Sequence, residues 1–112
     1  MDPMERFSDV VHVQQTGKLI VLAFAQHDIP GYERVVDCRE AIVELIELHH
    51  CEVIAFDLVG VPFLPSGILG LLVSLYRRGV QVQLYNPSEH IRKVLRVTKL
   101  DQNIKIRERK EG

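Results

Sequence analysis

The sequence predicts an α/β fold: one mixed, mostly parallel sheet of four to five strands, with an N-terminal antiparallel hairpin and about three to four helices. Three observations predict it. Short runs rich in β-branched residues alternate with longer stretches whose apolar residues recur every three or four positions. The first two apolar runs are separated only by Thr16-Gly17, which fits a hairpin and not a crossover. The 112 residues are 46% hydrophobic and 26% charged, as in an ordinary globular domain and unlike a disordered chain. A single domain is expected, with its core from about residue 10 to 107 and frayed ends.

The elements follow in order. Val10 to Gln15 is a modest edge strand, Thr16-Gly17 a two-residue turn, and Lys18 to Phe24 a strand apolar on both faces. Gln26 to Tyr32 contains Asp28, Pro30 and Gly31 and reads as a loop. A helix spans about Glu33 to His49. Val35, Cys38, Ile42, Leu45, Ile46 and His49 make its buried stripe, and Glu33, Asp37, Glu40, Glu44 and Glu47 make an acidic face. Glu52 to Leu58 is a short apolar strand, and Gly60 to Pro65 breaks the chain. Ser66 is placed as the N-cap of a second helix, Gly67 to Arg78, which Gly79 ends. Val80 to Tyr85 alternates as a fourth strand. Asn86-Pro87-Ser88 turns the chain and caps a third helix reaching Val97. That helix has Ile91, Val94, Leu95 and Thr98 on the apolar side and Arg92, Lys93, Arg96 and Lys99 on the polar side. Asn103 to Arg107 is a last strand. The parallel strands then form one sheet with the first strand antiparallel at its edge.

Charge divides the chain. Residues 1–76 carry a formal balance of −7 and residues 77–112 one of +6, although the whole chain is at −1. An acid-faced helix and a base-faced helix, each solvated, account for this. A meeting of the two between copies would give a salt-sensitive homodimer. The basic residues lack interleaved aromatics, so no nucleic-acid role is expected. Leu58 to Tyr76 is an uncharged run of 19 residues, but Gly60, Pro62, Pro65, Gly67 and Gly70 break it, so no membrane insertion is expected. Met1 to Arg6 does not read as a signal peptide, and two cysteines make no disulfide framework. A reducing, cytoplasmic setting fits.

The residues do not announce an enzyme. Phosphate-binding glycine loops and a Gly-x-Ser-x-Gly elbow are absent from the sequence. Ser66 sits at a strand-to-helix turn as nucleophilic serines do, but no spacing brings His27 or His90 to it as a base. His49-His50-Cys51 places three ligand types in a row, a poor metal arrangement and an ordinary helix C-terminus. Cys38 reads as a small buried hydrophobe. Asp57 ends a buried strand, where a carboxylate is either catalytic or fixes the following turn; with no second carboxylate or metal partner beside it, the turn role, shared with Gly60, is favoured. No metal or cofactor is expected.

The stretch Phe56-Asp57-Leu58-Val59-Gly60-Val61-Pro62-Phe63-Leu64-Pro65-Ser66-Gly67-Ile68-Leu69-Gly70-Leu71-Leu72 resembles the STAS family of anti-sigma factor antagonists, which read D-L-S-G-V-x-F-[ILM]-D-S-S-G-L-G-x-L there. Val82 to Ser88 and Ile91 to Leu100 resemble that family's following strand, turn and third helix. The resemblance implies the STAS fold from about residue 10 to 107. It also implies a bacterial regulatory module that binds an anti-sigma factor with serine kinase activity and so frees a sigma factor. In the family that kinase phosphorylates the second Ser of D-S-S-G and switches the antagonist off. Here an ungapped alignment puts Pro65 on the Asp, Ser66 on the first Ser, Gly67 on the acceptor and Ile68 on the Gly, and keeps Leu69 and Gly70 in place. A one-residue slip instead makes Ser66 the acceptor and loses Leu69 and Gly70. Ser66 is thus the candidate phosphorylation site, with Gly67 in the usual acceptor position on the favoured alignment. The implied partner surface is Pro62, Phe63, Leu64, Pro65, Ser66, Gly67, Ile68 and Gly70. The family also implies two alternatives. One is a constitutive scaffold subunit of a stressosome or of a lipid-transport ABC complex. The other is small-ligand or nucleotide binding through Arg92, Lys93, Arg96 and Lys99.

Overall fold

A computed structural model describes residues 3–8, 11–24 and 32–108, with side chains from residue 34 onward in the last stretch. The strands are β1 (Val11–Gln15), β2 (Leu19–Phe24), β3 (Val53–Asp57), β4 (Gln81–Tyr85) and β5 (Ile104–Arg107). The helices are α1 (Tyr32–His49), α2 (Ser66–Arg77) and α3 (Glu89–Val97), with short 3₁₀ turns at Glu5–Phe7 and Leu100–Gln102. The five strands lie in the order β1-β2-β3-β4-β5. β1 pairs antiparallel with β2, and every later pair is parallel. The mixed sheet with its N-terminal hairpin is therefore as the sequence predicts.

Because each parallel strand neighbours the next in sequence, like-handed crossovers drop all three helices on the same face. The buried residues record this. Ile20, Ile54, Val82 and Ile104 form one cross-strand row, and Leu22, Phe56 and Leu84 a second. Both rows join one core with Val35, Cys38, Ala41, Ile42, Leu45 and Ile46 of α1, Ile68, Leu71, Leu72 and Leu75 of α2, and Ile91 and Leu95 of α3. Phe24 and Phe56 stack with ring centroids 5.7 Å apart, covering the sheet between β2 and β3. On the opposite face Val21, Ala55, Gln83 and Lys105 stand in register, outside that core.

Several expectations need correction. Thr16-Gly17 was expected to turn the hairpin in two residues, but residues 16–18 separate the strands. A register shift between Val13 and Gln15 gives β1 one extra residue against β2. That bulge lets the loop close with Gly17 at φ +124. The core does not begin at residue 10: Met4 and Phe7 are both buried in it. Phe7 is also covered by the guanidinium groups of Arg6 and Arg34, 5.0 and 5.5 Å from its ring centre. Isolated apolar residues in so short a segment have no periodicity to reveal them. On α1, Ala41 and not His49 completes the buried stripe, since His49 lies in the last turn, where the helix leaves the core. On α3, Thr98 is exposed and donates its hydroxyl to the Val94 carbonyl at 2.7 Å. The loop expected from Gln26 lies outside the described residues up to Tyr32, which opens α1.

The stretch Leu58 to Tyr76 becomes the turn that follows β3 and most of a helix of 12 residues. At ~18 Å this is well short of the ~30 Å hydrocarbon layer. No helix among the described residues is long and apolar enough to cross a membrane.

Phe56 is fully buried and stacked, so Phe56→Ala is expected to destabilise the domain by about 3–5 kcal/mol. Chemical denaturation monitored by circular dichroism measures this directly.

Candidate functional site

The segment between β3 and α2 is assembled by three local devices. First, the Val59 N–H donates to Asp57 Oδ1 at 3.1 Å, so Asp57 fixes the chain as it leaves the strand. Second, the Val61 N–H donates to the Leu58 carbonyl at 3.0 Å, closing a turn in which Gly60 takes φ +80. A side chain at that third turn position would be strained, which is why Gly stands there. Asp57 and Gly60 thus shape the turn that leaves β3. Third, Ser88 Oγ donates to the Pro62 carbonyl at 2.9 Å and accepts from the Ile91 N–H at 3.2 Å. One hydroxyl caps α3 and ties it to the segment ahead of α2. The sequence shows Ser88 only as a cap. Its bond to Pro62, 26 residues away, has no local signature.

Ser66 is not the N-cap. Pro65 holds that position, with ψ 153°, and its carbonyl accepts from the N–H groups of Ile68 at 3.0 Å and Leu69 at 3.2 Å. Proline's fixed φ makes it a good entry residue, and the helix starts one position earlier than expected. Ser66 is therefore the first helical residue. It is exposed, and among the described residues its hydroxyl makes no hydrogen bond.

The implied partner residues separate by exposure. Pro62, Phe63, Ser66 and Gly70 are exposed, and Leu64, Pro65 and Gly67 are half-buried. Ile68 is fully buried in the core and is not part of any surface. Helical period explains the correction: Ile68, Leu71, Leu72 and Leu75 share the stripe that faces the sheet. Val59, 42% exposed, and Phe63, 53% exposed, give this segment an apolar tip, to which Phe63 comes from the implied partner surface and Val59 is an addition. Beside the tip, Val35, Val36 and Arg39 of α1 face Ser66, Gly67, Gly70 and Leu71 across an open groove of about 390 Å³.

Gly67 is not imposed by crowding. A Cβ there would meet only the Val35 methyls at 3.8 and 3.9 Å, an ordinary contact distance. At Gly70 a Cβ would meet nothing within 4 Å.

The remaining candidates do not converge on this segment. His50 takes φ +49 and ends α1, and Cys51 donates its thiol to the Val53 carbonyl at 3.0 Å. Burial pushes the Cys38 thiol up to about 11, against a smaller opposing pull from Arg34. No three His, Cys, Asp or Glu side chains among the described residues are placed to hold a metal ion. His27 lies outside those residues. Arg92 is half-buried, pairs with Glu108 at 3.0 Å and donates to the Pro87 carbonyl, whereas Lys93, Arg96 and Lys99 are exposed.

A fixed strand-to-helix turn with an exposed apolar tip, on a one-faced mixed sheet, agrees with a sequence match of the STAS domain over residues 31–111. The chain belongs to the STAS domain family. Solved structures give the same fold. The anti-sigma factor antagonist SpoIIAA in its unphosphorylated form superposes with TM-score 0.71 at 19% identity, over 90% of this chain and 87% of that one. The protein TM1081 gives 0.68 at 19% identity, over 86% and 78%. The Bacillus cell fate determinant SpoIIAA in its phosphorylated form gives 0.65 at 20% identity, over 90% and 92%. Comparison with curated proteins gave no match.

The two serines should respond differently to truncation. Ser88→Ala removes a cap and a tertiary tie and is expected to cost about 1–2 kcal/mol. Ser66→Ala is expected to change stability by less than about 0.5 kcal/mol. Urea denaturation of both variants checks the contrast.

Proposed function

We propose that this STAS domain is a bacterial, cytoplasmic regulatory module that acts by binding and not by catalysis. Its partner is an anti-sigma factor with serine kinase activity, and binding releases the sigma factor that partner holds. The observation that carries the reading is the apolar tip of Val59 and Phe63 beside the first turn of α2. Large apolar side chains left exposed on a turn tied by hydrogen bonds suit a protein interface. The fold shared with an antagonist solved in both phosphorylated and unphosphorylated forms supports the same reading.

Phosphoregulation follows a modified pattern in this proposal. Ser66 is exposed at a helix start, where the helix dipole and free N–H groups favour an added negative charge. Gly67, in the position usual for the acceptor, has no hydroxyl to modify. That glycine favours a second reading, a constitutive scaffold subunit of a stressosome or a lipid-transport ABC complex, which would bind through the same tip without a switch.

An affinity pull-down from native cytoplasm, with mass spectrometry of partner and bait, tests the proposal. A kinase-type anti-sigma factor is expected with the wild-type chain. Its recovery should fall at least about tenfold with Phe63→Asp, which leaves the core untouched and buries a charge in the interface. Phosphate on Ser66 would assign it as the switch. An ABC ATPase or stressosome component in place of the kinase would establish the scaffold reading, and recovery unaffected by Phe63→Asp would remove the tip from either interface.

A further inference from the structure

The sheet order separates two helices of opposite charge. α1 joins β2 to β3, α2 joins β3 to β4 and α3 joins β4 to β5, all against one core. α2 therefore lies between α1 and α3. The groove between α1 and α2 is lined on the α1 side by Val35, Val36, Arg39, Glu40, Val43 and Glu44. Asp37, Glu44 and Leu48 recur at helical spacing along α1, with Glu40 and Glu44 at the rim of that groove, and all four residues are exposed. On α3, Lys93, Arg96 and Val97 are exposed together, and Lys99 follows. Asp37, Glu40, Glu44, Lys93, Arg96 and Lys99 make no ion pair among the described residues. The match extends beyond charge. Leu48, 60% exposed, sits in the acidic face, and Val97, 74% exposed, sits in the basic one.

A domain cannot close its own α1 face on its own α3 face with α2 between them. A second copy can. We infer that the acidic face of α1 is a docking surface for the basic face of α3 of another copy, with Leu48 and Val97 meeting inside a ring of opposite charges. The contact joins two different surfaces, so each added copy presents a fresh acidic face and a fresh basic face. Such an interface builds chains unless its rotation happens to close a ring. α3 offers only nine residues, or ~13 Å of helix, well short of the area a permanent dimer buries. The association is therefore transient and driven by charge. It uses neither Val59 nor Phe63, so it is independent of the proposed partner site.

Sedimentation velocity on the full chain tests this at about 0.01 M salt, where charges act over about 30 Å, and at about 1 M, where they act over about 3 Å. Species larger than dimers are expected at low salt as concentration rises, and a monomer at high salt. Glu44→Lys and Arg96→Glu, both at exposed positions, are each expected to weaken association more than about tenfold, with unchanged circular dichroism. The decisive sample is their equimolar mixture. The intact basic face of Glu44→Lys can dock on the intact acidic face of Arg96→Glu, giving a one-to-one heterodimer that grows no further. A wild-type monomer at every salt overturns the inference, as does association indifferent to salt or surviving in both variants. A monomer that instead co-sediments with anionic lipid vesicles would assign the basic face to a membrane surface and overturn it as well.

Discussion

The consecutive order of the parallel strands is the constraint on which the rest depends. Each right-handed crossover returns to the neighbouring strand on the same side, so three helices share one face. Every strand then has a face with a fixed duty. Ile20, Ile54, Val82 and Ile104, and behind them Leu22, Phe56 and Leu84, must fill the space under α1, α2 and α3 without voids. A change at Phe56 is felt across the domain because both cross-strand rows and all three helices share one core.

The same constraint builds the site. Parallel strands run in one direction, so the chain leaves β3 and β4 at the same edge of the sheet. The turn after β3 and the start of α3 after β4 are brought side by side. Ser88 exploits that proximity by bridging the Pro62 carbonyl and the Ile91 N–H with one hydroxyl. The segment ahead of α2 is thus held at both ends, by Asp57 and Gly60 on one side and by Ser88 on the other. Val59 and Phe63 stay exposed on a stiff support, which limits the entropy lost when a partner covers them. An interface on such a support can be switched by a small local change, such as a charge at Ser66, without unfolding its base.

Charge is arranged by the same topology. Helices of opposite sign are held apart by α2, and the domain keeps an acidic flank and a basic flank while its total stays near neutrality. A monomer with no such separation would satisfy its charges internally. Here the described ion pairs are peripheral, Arg78 with Glu47 and Arg92 with Glu108, and neither links α1 to α3.

The sequence by itself determined the elements, the hairpin edge, the family motif around Asp57 and Gly60, and the cap at Ser88. These are set by interactions within a few residues: alternation, helical period, a turn glycine, a hydroxyl at a helix start. It did not determine which motif residues face outward. Ile68 and Phe63 are both apolar and five residues apart, and only the seating of α2 on the sheet buries one and exposes the other. Pro65 displaced Ser66 from the cap because the helix start depends on how the preceding turn delivers the chain. Met4 and Phe7, the β1 bulge and the Ser88 bond to Pro62 were likewise decided by tertiary structure. For Met4, Phe7 and the Ser88 bond the partner lies far along the chain, and for the bulge it lies across the hairpin, so each energy depends on a distance that folding alone sets.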